Sequence, residues 1–434
     1  AQDSASNAGG RGGRGGRGGA APLDTAGAIG FGGGFGGFGG RGGGSTWERA
    51  LGGCESGFTI PDYTDTNIIW ASCYGNQVTR YEARTKLARS VSPWVHTLDS
   101  PPNEAKYRCH WTPPLAIDPF DHNTMYYGCQ VIFKTSNKGQ SWTVISPDLS
   151  TNDPSRIVSS GGIVPDNLGQ FYGEVVFAIA PSQIQKGLIW AGTNDGQLWN
   201  TRDGGGKWNN VTKNITGLPA WGTIRQIAPS QFDPGTAYVA IDFHMMDNRE
   251  PFLYKTTDYG QTWKKISDGL PQKHPLAYVM SVAENPNRKG MIFAGTGNAF
   301  YYSMDDGAQW TQFKDGLPAS PVTWIALDKP THDVVVSTYG RGIYVMHDIT
   351  TLEQQDKRVA DADVYLYAPN TGVRQARAGH IDLFYDLKAA PKDSVKVEIM
   401  DEKGAVIRTM REHGRAGRRE RRARRGDFPR ADRS

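Results

Sequence analysis

TSNKGQSW (135–142), TRDGGGKW (201–208), TTDYGQTW (256–263) and SMDDGAQW (303–310) are four copies of one octapeptide: a hydroxyl residue, any residue, Asp or Asn, any residue, Gly, two further residues, Trp. A tight hairpin turn needs each conserved feature of this pattern. Gly tolerates positive φ, a short acidic or amide side chain caps the turn's N–H groups, and the hydroxyl ties the strand end to the turn. The Trp on the outgoing strand then wedges the hairpin against its neighbour. Successive copies start 66, 55 and 47 residues apart, a length that suits four short antiparallel strands with variable loops.

The same order of segments surrounds each copy. AIDP (116–119), AIAP (178–181), QIAP (226–229) and SVAENP (281–286) each precede a second apolar strand ending in a small residue: TMYYGC, LIWAGT, TAYVAID and MIFAGT. A third strand then leads into the octapeptide. Two further copies lack it, FTIPD with IIWASC and VTRYE (58–82) and WIALD with VVVST and GIYVM (324–346). The expected fold is all-β, a β-propeller of six visible blades.

At this point the chain resembles the BNR/Asp-box propellers. GGCESGF (52–58), KYRCHW (106–111), SPDLSTND (146–153), TTDYGQTW and STYGRGIY (337–344) resemble more closely a group of large secreted bacterial proteins, named sortilin-like or loosely glycosyl hydrolases. That resemblance implies seven blades in the complete protein, with Ala1-Gln2-Asp3 in the preceding blade and this chain a fragment. It further implies a secreted, periplasmic or cell-surface location.

Four regions are expected. Residues 1–44 are a Gly/Arg-rich disordered segment or loop insertion, because such composition buries too little apolar surface to offset ordering entropy. The propeller occupies 45–355, and a partial fibronectin-like β-sandwich occupies 356–410. Residues 411–434 form an Arg-rich tail, either a basic appendage or the mark of a truncation or frame change. The formal charge of +4 sits there: the tail carries 10 Arg against 4 acids, leaving the rest at −2. The folded part is therefore not a nucleic-acid binder by charge, although GGRGGRGGRGG alone permits an RNA-binding reading. No apolar run is long enough for a transmembrane helix, and no cofactor motif is present.

Cys54 and Cys73 lie 19 residues apart and Cys109 and Cys129 lie 20 apart, each pair in one register: ahead of the first strand and at the end of the second. Those points are neighbours in an antiparallel blade, so two disulfides are expected. The alternative is a metal site of the four cysteines with His110, which has no CxxC spacing.

Chain reversal puts the octapeptides on one face and the second-to-third turns on the other, around the channel mouth. Asn137, Asp203, Asp258 and Asp305, with Trp142, Trp208, Trp263 and Trp310, are accordingly structural. Candidates at the mouth are Glu55 with Ser56, Tyr74 with Asn76, Arg108 with His110, Asn194 with Asp195, the loop DFHMMDNRE (242–250) with His244, Asp247 and Arg249, Asn298, and Tyr339 with Arg341. Arg341, between two glycines, is expected to meet a ligand or clasp the next blade. A glycoside hydrolase needs two carboxylates across the mouth, for which Glu55, Asp195 and Asp247 are available. Arg156-Ile157-Val158 breaks the Arg-Ile-Pro motif of sialidases. The favoured function is a binding module for a peptide or glycan; the alternative is a glycoside hydrolase.

Overall fold

The structure, a computed structural model, describes residues 51–54, 57–73, 77–94, 102–158, 173–314, 316–370, 381–391 and 394–412. Glu55, Ser56, Tyr74, Asn76, the segment 1–44 and residues 413–434 of the tail lie outside them. Six antiparallel sheets follow one another along the chain, each a simple meander. The first comprises Thr59–Pro61, Ile68–Cys73, Gln77–Glu82 and Leu87–Ser90. The second comprises Leu115–Asp118, Asp121–Gly128, Ile132–Thr135 and Thr143–Val144. The third comprises Val176–Pro181, Ile189–Thr193, Leu198–Thr201 and Asn209–Asn210. The fourth comprises Thr223–Pro229, Ala237–Asp242, Phe252–Thr256 and Lys264–Lys265. The fifth comprises Val279–Glu284, Ile292–Thr296, Phe300–Ser303 and Thr311–Gln312. The sixth has three strands, Val322–Asp328, Asp333–Thr338 and Gly342–Met346. This is a six-bladed β-propeller arrangement. Phe58 meets Trp324 edge-on at 5.1 Å, so the sixth sheet returns to the first.

Apolar clusters fill the junctions between consecutive sheets. Trp70 packs with Met125 and Tyr127, Tyr126 with Val176 and Ile189, Trp190 with Ile224 and Val239, Tyr238 with Val282 and Ile292, and Phe293 with Ile325 and Val334. At the inner end, a small residue on one sheet's second strand receives the next sheet's inner strand. A Cβ on Gly128 would come 3.1 Å from the Val176 side chain, one on Gly192 2.2 Å from Ile224, and one on Gly295 2.6 Å from Val322.

The octapeptide turns provide the outer junction. In each, the hydroxyl donates to the Asp or Asn side chain and accepts from the Gly N–H four residues on, as in Thr256 with Asp258 and Gly260. Thr135, Thr201 and Ser303 repeat this, at 3.0, 3.1 and 2.9 Å to Gly139, Gly205 and Gly307. Those glycines have φ of +82°, +111°, +83° and +86° in chain order. Each lies against a β-branched residue closing the preceding sheet: Val91, Ile145, Val211 and Ile266. The indole N–H of Trp142, Trp208 and Trp310 donates to the carbonyl of Val91, Ile145 and Ile266. Trp263 differs: its N–H turns to Gly260 in its own turn, and its ring meets Trp190 of the third sheet at 6.0 Å.

Disulfides join Cys54 to Cys73 and Cys109 to Cys129, with Cα separations of 5.3 and 4.1 Å. Beyond the sixth sheet, helices Thr350–Glu353 and Lys357–Asp361 fold back on the fifth and sixth. Arg288 donates to the carbonyls of Glu353 and Gln355, and Glu353 accepts from Asn285 and His332. Burial runs past residue 355 to Val359 and Tyr367. Two separate hairpins follow, Val364–Leu366 with Tyr385–Leu387 and Val395–Met400 with Val406–Glu412. Within 381–387 the strand covers Tyr385–Leu387.

Adjacent glycines test the outer junction. Both Gly204 and Gly205 have positive φ, but a Cβ on Gly204 meets nothing, whereas one on Gly205 falls 2.7 Å from the Ile145 carbonyl. Gly204→Ala should cost about 1 kcal/mol from the backbone alone, and Gly205→Ala about 3 kcal/mol, because packing strain adds to it. Denaturant midpoints measure the difference; equal losses would remove the contact from the account.

Candidate functional site

Each of the third to sixth sheets carries a β-bulge near the start of its inner strand. The register skips Phe177, Arg225, Met280 and Thr323 in turn, the residue before and the residue after each pairing with consecutive residues of the second strand. A bulge breaks the two-residue alternation and re-aims a side chain, a device common beside binding sites. Here it turns Phe177 and Arg225 toward the mouth-side groups.

Arg225 is the hub of that group. Its Nε and one terminal nitrogen both lie 2.9 Å from Asp242 Oδ2, at the end of the fourth sheet's second strand. Asp242 is fully covered and also takes the His244 backbone N–H at 2.9 Å. The His244 ring donates from Nδ1, 2.7 Å from both Asp242 oxygens, leaving Nε2 directed away from the carboxylate. The ring stacks on Tyr278 of the fifth sheet's approach, centroids 4.5 Å apart and planes 16° off parallel. Burial raises the Tyr278 hydroxyl above its ordinary range, Asp242 raises it further, and Arg249 and Arg225 oppose that.

On its other side the Arg225 guanidinium lies over Phe177, 5.3 Å from the ring centre. His110 meets the same Phe177 edge-on at 5.0 Å. The Thr112 N–H donates to His110 Nδ1 at 3.1 Å. Burial, with the Arg225 charge second, pushes the His110 ring down to about 4. His110 is therefore neutral at pH 7, with its proton on Nε2. Blades two to five thus contribute a continuous band of imidazole, aromatic and guanidinium groups.

Carboxylates lie beside this band. Glu174, just ahead of the third sheet, and Asp195, after its second strand, are both 4% exposed. The Thr151 N–H donates to Asp195 Oδ2, and the Asp153 N–H to Glu174 Oε2 at 2.7 Å. The remaining oxygens, Glu174 Oε1 and Asp195 Oδ1, are buried and have no hydrogen-bond partner among the described residues. Burial raises the Glu174 carboxyl above its ordinary range, opposed by the Asp153 N–H and reinforced by the Asp195 charge. Arg108 stands alongside, paired with Asp148 at 2.9 Å. Arg156 stacks on Trp221, 3.8 Å from the ring centre, at the start of the fourth blade.

The sequence candidates distribute as follows. His244 is in the band, and Arg249 acts on Tyr278 there. Asp195 belongs to the carboxylate pair. Asp247 sits at a left-handed loop tip with its side chain 98% exposed, 3.8 Å from Arg249. Tyr339 and Arg341 are exposed on the sixth sheet, where no ion pair among the described residues engages Arg341. Among the described residues no three His, Cys, Asp or Glu gather as metal ligands, and the four cysteines are in disulfides. Phe177, Arg225, Tyr278 and Glu174 were not among the candidates: the bulges that aim two of them leave no mark in an apolar–polar pattern. Glu174 lies just ahead of its inner strand, Val176–Pro181, and no repeated position in the other blades marks it.

No family model matches the chain. It is 26% identical over 237 residues to a xyloglucanase of Hypocrea jecorina, covering 50% of this chain and 27% of that protein. It is 23% identical over 287 residues to a xyloglucanase of a Paenibacillus species, covering 58% and 27%. This chain is similar to glycoside hydrolases. It spans 27% of the length of these two relatives. Among solved structures, a GH74 xyloglucanase from Xanthomonas campestris aligns at 19% identity and a TM-score of 0.47, over 65% of this chain and 43% of that one.

The neutral His110 gives the site a pH signature. Its folded value of about 4 lies below the unfolded 6.5, so only the unfolded chain gains this proton between those limits. Stability should fall as pH drops from 6.5 toward 4 and level off below, and His110→Gln should flatten part of that slope. An NMR titration placing His110 near 6.5 would contradict its burial beside Arg225.

Proposed function

We propose that this propeller holds a glycan across the channel mouth and belongs to a glycoside hydrolase acting on a polysaccharide of the xyloglucan type. The band running from His110 through Phe177, Arg225 and His244 to Tyr278 carries the proposal. Sugar rings offer apolar C–H faces to aromatic rings and hydroxyl oxygens to forked guanidinium donors, and this band provides both side by side. The similarity to two xyloglucanases supports a glycan over a peptide, so we set aside the grouping with sortilin-like peptide binders.

Hydrolysis needs a protonated and an ionised carboxyl flanking the scissile bond. Glu174, whose carboxyl burial favours keeping its proton, and Asp195 are the pair we assign. The segment 148–153 caps both through its backbone N–H groups, so it must open for a glycosidic oxygen to reach them. Asp242 is unsuited to the role because Arg225 and His244 consume its oxygens. Two disulfides fit an oxidising compartment, where such polysaccharides are met, so we place the protein outside the cytoplasm: secreted, periplasmic or on the cell surface.

Affinity electrophoresis in xyloglucan gels, paired with a reducing-end assay, tests this. Arg225→Lys keeps a charge beside Asp242 but loses the fork, and should weaken retention at least about tenfold (~1.4 kcal/mol) at unchanged melting temperature. Asp195→Asn should be retained like the parent and release no new ends. Retention unaffected by Arg225→Lys would move the site away from the mouth.

A further inference from the structure

Two arginines face each other on the outer rim of the first sheet. Arg80 on Gln77–Glu82 and Arg89 on Leu87–Ser90 are directly opposite in register, on the row that continues inward to Trp70. Like charges opposed across two strands destabilise a sheet unless something compensates them. Arg80 is held in place: its guanidinium lies over the buried Trp70, 5.9 Å from the ring centre, and donates at 3.1 Å to the Lys138 carbonyl of the second blade's octapeptide turn. Arg89 is exposed, and among the described residues its side chain has neither an ion pair nor a hydrogen bond. The acid beside them, Glu82, is engaged elsewhere. Arg84 donates to Glu82 Oε1 at 2.9 Å and to both oxygens of Asp65 at 2.9 Å. An open cavity of ≈ 190 Å³ lies at this spot, lined by Arg80, Glu82, Thr85, Leu87 and Arg89. It borders an octapeptide turn, so it belongs to the face away from the channel mouth.

We propose that this cavity binds an acidic sugar residue, a uronate, by its carboxylate. The two guanidiniums bring forked donors and two positive charges to one carboxylate, whose arrival offsets the repulsion between them. The cavity is several times the volume of a water, about 30 Å³, which leaves room for a sugar ring beside the charged group. Leu87, 53% exposed, offers an apolar wall to the ring's C–H face, and the Thr85 hydroxyl stands at its edge. Such a site would tether the propeller to an acidic polysaccharide while the mouth faces outward. It is independent of the mouth reading, since a neutral glycan has no charge to bring here.

Hydrogen–deuterium exchange of the full chain titrated with trigalacturonate tests it, because a site-resolved readout separates this cavity from the 10 Arg of residues 411–434. Peptides covering 78–90 and 136–140 should become protected in the parent. Arg89→Gln should raise the concentration needed at least about tenfold and, with the repulsion relieved, should melt no lower than the parent. The uncharged trimethyl ester of the same trisaccharide should give no protection there. Absent protection, equal protection by the ester, or equal protection in Arg89→Gln overturns the site. A lower melting temperature for Arg89→Gln would make that arginine a structural partner, and sodium sulfate matching trigalacturonate at equal ionic strength would remove the sugar; either result also overturns the proposal.

Discussion

A positive-φ glycine pressed against a β-branched side chain of the preceding blade is the contact from which the rest of this propeller follows. Gly139, Gly205, Gly260 and Gly307 have no Cβ, so Val91, Ile145, Val211 and Ile266 can close to within van der Waals distance of the turn backbone. At three of the four junctions an indole N–H adds a hydrogen bond to the same residue's carbonyl. Gly128, Gly192 and Gly295 repeat the logic near the axis, where the next inner strand fills the space a side chain would take. The junctions between the second and third sheets and between the third and fourth are held at both ends by backbone that approaches because a side chain is missing. The spacing of the blades, and with it the spacing of the loops around the mouth, is set by these contacts.

Because the blades cannot shift independently, groups far apart in sequence meet with short distances. Arg225 and Asp242 belong to one blade, His110 and Phe177 to two others, and Tyr278 to a fourth, yet they form one unbroken series of contacts. The fully covered Asp242 is the anchor: with its charge matched by Arg225 and its second oxygen reached by His244, it fixes the plane of the guanidinium and the stack on Tyr278. Preorganisation of this kind lowers the ordering cost of holding a ligand.

The repeating features were legible in the sequence because they rest on residue types with one physical use. Gly at the turn, a hydroxyl four residues before it and a small residue on the second strand have direct counterparts in the hydrogen bonds and close contacts. The site was less legible. Phe177 and Arg225 sit within VFAIAP and TIRQIAP, where alternation gives no hint that one residue slips the register. Asp247 shares the loop with His244 but turns to solvent, since a left-handed Asp247 ends the short helical turn His244–Met246. Glu174 lies outside any strand, and only the segment 148–153 folding over it reveals its burial. Past residue 350 the short helices Thr350–Glu353 and Lys357–Asp361 come first, and the strands beyond them pair as two separate hairpins.

Hydrogen–deuterium exchange of the chain with and without a branched xyloglucan oligosaccharide addresses the central claim, that the glycan lies across the mouth and not on the turn face. Protection should appear in peptides covering 106–112, 174–180, 221–226, 242–250 and 271–279, with none in 135–142, 201–208 or 303–310. Protection confined to the octapeptide turns, or spread evenly over both faces, would contradict it.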